Sequence, residues 1–190
     1  MPNDMTLTRL NHTALVLKPI KSKSEIKDSE DVNGYLIDSD EKEIRRIAAS
    51  LKNKNQKKII AVLGRDDAFN RRILETIDID YLVSPESGNR KDTLKQRDSG
   101  LNQVLGKIAH DKKIAIIIDF SSLNRLKDKD RALRLGRIIQ NVKVCRRAVC
   151  KIKIATFASY KSELRTEREI KSFGFSLGMS SQQVKDCCDF

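Results

Sequence analysis

Apolar and polar positions follow two periodicities in this chain, and the alternation between them is clearest from Asp66 to Phe120. Behind Asp66-Asp67, the apolar residues Phe69, Ile73 and Ile77 recur every four positions, which predicts an amphipathic helix. Asp80-Tyr81-Leu82-Val83 predicts a short strand, closed by Ser84-Pro85. A polar loop rich in Arg and Lys follows. Leu101, Val104, Leu105 and Ile108 then mark one face of a helix over Leu101 to Ala109. Lys113 to Ile118 is apolar and β-branched without alternation, the pattern of a strand buried on both faces. Helix, strand, helix, strand in so short a stretch is the grammar of a parallel sheet.

The same reading extends to both ends. Met1 to Asn11 is polar and predicted loose, and Thr13 to Leu17 is a first strand ended near Pro19. Lys21 to Val32 is charged and aperiodic, hence a loop or arm. Gly34 to Ile37 is a weak strand. Asp38-Ser39-Asp40 caps a helix over Glu41 to Leu51, with Ile44, Ile47, Ala48 and Leu51 inward. Lys52 to Lys58 is a basic connection, and Ile59 to Gly64 is a strand. A loop from Ser121 to Lys129 leads into a long helix over Asp130 to Val149. Its inward stripe is Leu135, Ile138, Ile139, Val142, Cys145 and Val149, with Arg134, Arg137, Lys143 and Arg147 opposite. A strand over Ile152 to Phe157, a helix over Lys161 to Phe173 and a last helix capped by Ser180 or Ser181 complete the chain.

Six or seven strands in regular succession, with no repeat, low-complexity tract or linker, predict one α/β domain spanning 1–190, with 1–12 and 21–32 as loop. Successive strand–helix units suggest a small TIM-like (β/α) barrel, complete or incomplete. The chain is shorter than the ~250 residues usual for that fold, so an open doubly wound sheet also fits the pattern.

Charge adds a partner class. The 38 Lys and Arg against 26 Asp and Glu give a net charge of +12, which points to a polyanion. The charge is segregated. Glu25 to Glu43 holds eight acids and two bases, and Arg125 to Lys153 holds eleven bases and two acids. Aromatic residues are 5% and Trp is absent, so recognition by base stacking is not expected. Contacts should go to phosphates and shape. The candidates are Arg71, Arg72, the loop bases Arg90, Lys91, Lys95 and Arg97, and the long helix. No apolar run approaches the ~20 residues of a membrane span, and no secretory signal is visible, which predicts a cytoplasmic protein away from membranes.

Catalytic chemistry is sparse. Neither glycine-rich nucleotide loop is present. The two histidines, His12 and His110, lie far apart. Cys145, Cys150, Cys187 and Cys188 lack zinc spacing and read as reduced thiols. The strand-end carboxylates Asp38 and Asp119 are the enzyme-like feature, since a barrel carries its site on that rim; Asp80 opens its strand and is a weak member of the set. Helix capping and loop solvation explain the rim acids more simply. Asp98-Ser99-Gly100 stands either as a cap for the helix that follows or as part of a site.

Several short pieces in order carry a resemblance. They are Asn70-Arg71, Ile79-Asp80-Tyr81-Leu82, Asp98-Ser99-Gly100-Leu101-Asn102, and the strand at Ile114 to Ile118. Arg131, Arg146-Arg147, Phe157 to Tyr160, Glu163-Leu164-Arg165 and Leu177 to Ser180 continue the series. Together they resemble the RNase P protein component 3 family, the archaeal counterpart of the thirty-kilodalton protein subunit of eukaryotic nuclear RNase P. The likeness runs from about Ile59 to the end; Lys18-Pro19 stands where an aspartate is expected, and Lys21 to Val32 has no counterpart. The resemblance implies a barrel like the PHP phosphoesterases without their metal-binding histidines. It implies a subunit of the ribonucleoprotein endonuclease that removes 5′ leaders from precursor tRNA. Catalysis and Mg²⁺ would then belong to the RNA, with no cofactor on this chain. The implied partners are the RNase P RNA, protein component 2 and other RNase P proteins, with precursor tRNA met indirectly. Arg131, Arg134, Arg137, Arg146, Arg147 and Arg165 join the RNA-contact candidates, and Asn70, Asp80, Asp98, Ser99, Gly100 and Asn102 are the motif positions. The alternative is a metal-dependent phosphoesterase on the same barrel, using Asp38 and Asp119.

Overall fold

A computed structural model describes residues 4–8, 14–26, 31–52, 58–88, 92 and 97–190. Seven parallel strands, β1 (Asp4–Thr6), β2 (Ala14–Ile20), β3 (Gly34–Ile37), β4 (Ile59–Leu63), β5 (Tyr81–Val83), β6 (Ala115–Asp119) and β7 (Ile152–Ala155), pair in sequence order. Helices α1 (Glu41–Lys52), α2 (Asp67–Thr76), α3 (Gln103–Asp111), α4 (Phe120–Asn124), α5 (Asp128–Ala148), α6 (Glu167–Ser176) and α7 (Ser181–Asp186) follow β3 onward. The result is a nearly closed barrel, which decides between the two architectures the pattern allowed.

Closure falls to a segment that reads as loose. Asp4–Thr6 is a fully buried strand, although two of its three residues are polar. Phe157 N–H donates to the Met5 carbonyl at 2.8 Å and Leu7 N–H to the Ala158 carbonyl at 3.0 Å, joining β1 to the end of β7. The Asp4 carboxylate reinforces this seam, accepting from Thr156 N–H at 2.8 Å and from its hydroxyl at 2.6 Å. A side chain thus supplies ladder bonds where only an isolated bridge, Thr6 to Ala158, links the backbones.

Two apolar layers explain the strands that lack alternation. Met5, Leu17, Ala61, Val83, Ile117, Ala155 and Phe157 form an inner cluster. The other side of the same strands, including Ile20, Ile37, Val62, Leu82, Ile116 and Ile154, packs under the helices. Both faces are dry, so both must be apolar.

Other expectations are corrected. β2 continues through Pro19 to Ile20. Asn33 and Asp38 N–H bond to the carbonyls of Val16 and Ile20, so even positions of β2 face β3 and Pro19 faces β1. The β1 pairing stops at Val16, so the missing N–H forfeits no ladder bond. Ser121 to Lys129 is not all loop, because Asp119 accepts from Ser122 N–H at 2.9 Å and starts α4. Lys161 to Phe173 is not one helix. A 3-10 turn at Lys161–Glu163 precedes α6, which Thr166 and Glu169 restart with a reciprocal cap. Val149 leaves the inward stripe, because it ends α5 in the left-handed region (φ 56°) and is 70% exposed. Val104 likewise faces solvent, at 60% exposure, while Leu101 and Leu105 are buried. Among the described residues no helix is long and apolar enough to cross a membrane.

Candidate nucleic-acid interface

The basic residues divide by what already holds them. On α2, Arg71 pairs with Glu75 at 2.7 Å and Arg72 with Glu41 at 2.8 Å, both at the surface. Arg131 is spent on a corner, donating to the carbonyls of Leu123, Asn124 and Leu126. These carbonyls lie at the end of α4 and in the turn after it, and the arginine caps them, although that of Leu123 also accepts from Leu126 N–H at 3.2 Å. Arg165 donates to the Ser162 and Leu164 carbonyls and lies over the Phe120 ring at 5.6 Å. Arg146 reaches the Gly178 carbonyl and Gln183, tying α5 to α7.

Arg134 and Arg137 do not form a solvated outer face. Arg137 is buried, with Nε 2.9 Å from Asp92. Arg134 lies 4.0 Å from the buried carboxylate of Glu86 and is only 17% exposed. Their side of the helix meets the β5–α3 connection, and simple solvent-versus-core periodicity has no category for that. Lys143 and Arg147 are exposed, as the pattern predicts. Of the loop bases, Arg90, Lys91 and Lys95 lie outside the described residues. Arg97 is described, and its guanidinium lies across α5 at Gly136, where a Cβ would coincide with Nη1.

The motif positions are a polar clamp beneath this surface. Asn70 is fully buried. Its amide donates to the carbonyls of Arg65 (3.0 Å), Pro85 (3.2 Å) and Gly100 (3.0 Å), and its oxygen accepts from Arg65 N–H at 2.8 Å. Gly100 takes φ +72°, a conformation that suits glycine. Ser99 Oγ donates to the Leu101 carbonyl, and the Ser99 carbonyl accepts from Asn141 of α5 at 3.0 Å. Asp98 N–H donates to Asp92 at 2.9 Å. Asn102, not Asp98-Ser99-Gly100, caps α3, accepting from Leu105 N–H at 3.0 Å. Asp80 accepts from Ile60 N–H at 2.9 Å and pins β5 to β4. Asn141, Gln140 and Glu86 escaped the sequence reading. The one available signal was polar residues intruding on the stripe of a long helix.

The strand-end acids are engaged as well. Asp38 pairs with Arg65 at 3.0 Å. Burial pushes the Asp119 carboxyl up to about 6, against the opposing pull of the Ser122 N–H and the nearby Arg125 and Arg134 charges. Among the described residues, no three His, Cys, Asp or Glu side chains group as a metal site would require.

A profile of the family described as RNase P subunit p30 matches residues 6–189. The chain belongs to this family. Ribonuclease P protein component 3 of Methanococcus maripaludis strain C7 is 28% identical over 122 residues, 64% of this chain and 50% of that protein. The Methanocaldococcus jannaschii protein of the same name shows the same identity and coverage. The chain therefore spans about half the length of these p30-family relatives. By fold it is similar to a chain in a cryo-EM structure of archaeal ribonuclease P with mature tRNA. The TM-score is 0.66 and the identity 21%, covering 92% of this chain and 80% of that one.

Proposed function

We propose that the chain is a protein subunit of ribonuclease P, the ribonucleoprotein that removes 5′ leaders from precursor tRNA. It binds and stabilises the catalytic RNA together with protein component 2. The observation that carries this reading is the family match across 6–189, on a basic chain. The RNA performs the hydrolysis with its own Mg²⁺, and this chain contributes cations rather than a cofactor. Precursor tRNA is met within the assembly, in the cytoplasm. The phosphoesterase alternative is not favoured, since Asp38 is neutralised by Arg65 and Asp119 caps α4.

Reconstitution tests the reading. Adding the chain to RNase P RNA and component 2 should raise precursor-tRNA cleavage at limiting Mg²⁺. The absence of stimulation at any ionic strength refutes it, as does cleavage by the polypeptide alone.

A further inference from the structure

From Arg131 to Lys153 the sequence holds eight bases and no acid. Arg131, Arg134, Arg137 and Arg146 are turned to carbonyls, carboxylates and α7, which leaves Lys143 and Arg147 on the solvent side of α5. At 100° per residue, Gly136, Lys143 and Arg147 share about 40° of arc on that side. Gly136 brings no charge, but its missing side chain leaves the slot in which the Arg97 guanidinium lies. A cation from the β5–α3 connection therefore joins the row in register. Asp92, the acid close to Arg97, is held by Arg137.

We infer that Arg97, Lys143 and Arg147 form a phosphate track along α5 that grips the RNA backbone, with Gly136 as the residue that seats Arg97. The inference rests on the ribonuclease P reading for the identity of the RNA, and on the geometry for the site. From Gly136 to Arg147 the row spans roughly 16 Å of helix, long enough to follow several phosphates. Lys107 is exposed on α3, directly after the Gly106 contact with α5. An RNA fits better than a protein partner. The exposed large apolar residues nearby, Val104, Leu133 and Val149, are all aliphatic, and among the described residues no exposed Phe or Tyr lies on α3 or α5.

The test measures binding of a labelled RNA duplex, and separately of RNase P RNA, between about 50 and 200 mM salt. Lys143→Gln with Arg147→Gln should weaken binding about tenfold at the low end. It should also reduce the slope of log affinity against log salt by one to two. Gly136→Ala should reduce that slope by about one while thermal stability holds or rises, since Ala favours helix and Arg97 is displaced at its flexible end. A purely structural glycine would not give that combination. Lys23→Gln with Lys42→Gln, on the acidic side, should leave the slope unchanged. An unchanged slope in the Lys143/Arg147 variant overturns the track. So does intact RNA binding with lost component 2 binding, which would make the ridge a protein interface. If the slope falls as expected but wild type never stimulates cleavage, the track stands and the ribonuclease P reading fails.

Discussion

Asp119 offers a quantitative test of how the barrel rim is wired. Its carboxyl is pushed from 3.8 to about 6, chiefly by burial. A carboxyl that holds its proton more tightly when folded favours the folded state below the unfolded value and loses that advantage as pH rises through about 6. The full gap corresponds to ~3 kcal/mol, of which about 2.4 kcal/mol is lost between pH 4 and pH 7.5. Asp119→Asn keeps an oxygen for the Ser122 N–H and removes the buried charge. It should therefore be more stable than wild type at pH 7.5 by about 2 kcal/mol, a rise in Tm of roughly 4–8 °C for a chain of this size. At pH 4 the two should differ little. Thermal unfolding followed by circular dichroism at both pH values reads the effect. An Asn variant less stable at pH 7.5, or an equal offset at both pH values, refutes the argument. It would mean that the charged carboxylate is a net stabiliser through Arg125 and Arg134.

Three further outcomes follow from the same contacts. Asn70→Ala removes the side chain that holds three carbonyls and one N–H, and should cost about 3 kcal/mol in the urea unfolding midpoint; a loss under 1 kcal/mol would show the clamp to be dispensable. Gly106→Ala should destabilise by about 1 kcal/mol despite its better helix propensity, because its Cβ would lie 2.8 Å from that of Ala148; Gly136→Ala, which displaces only the flexible end of Arg97, should not, and melting the two variants side by side checks the contrast. Thr156→Val removes the hydroxyl that donates to Asp4 and accepts from Ala158 N–H, and should speed hydrogen exchange at Phe157 and Leu7 while the amides of β4 stay protected; equal exchange throughout would show that the seam is held by backbone alone.

The repeating pattern of strands and helices by itself determined that this is a parallel α/β chain, because a strand buried on two faces must be apolar at every position and a helix buried on one must not be. It also predicted a polyanion partner, since the acids and bases are segregated in the sequence itself, and the ordered short motifs pointed to the family. Tertiary structure decided the rest. β1 was illegible because Asp4 and Thr6 look solvent-bound until Thr156 arrives from the far end of the chain to satisfy the carboxylate. The fates of the arginines on α5 were equally hidden. Helical periodicity separates core from exterior, but it does not show that a neighbouring loop covers part of the exterior, which is why Arg137 is buried on Asp92 while Arg147 stays in water. Gly136 shows the same limit, since its role depends on an arginine 39 residues earlier that only folding brings across the helix.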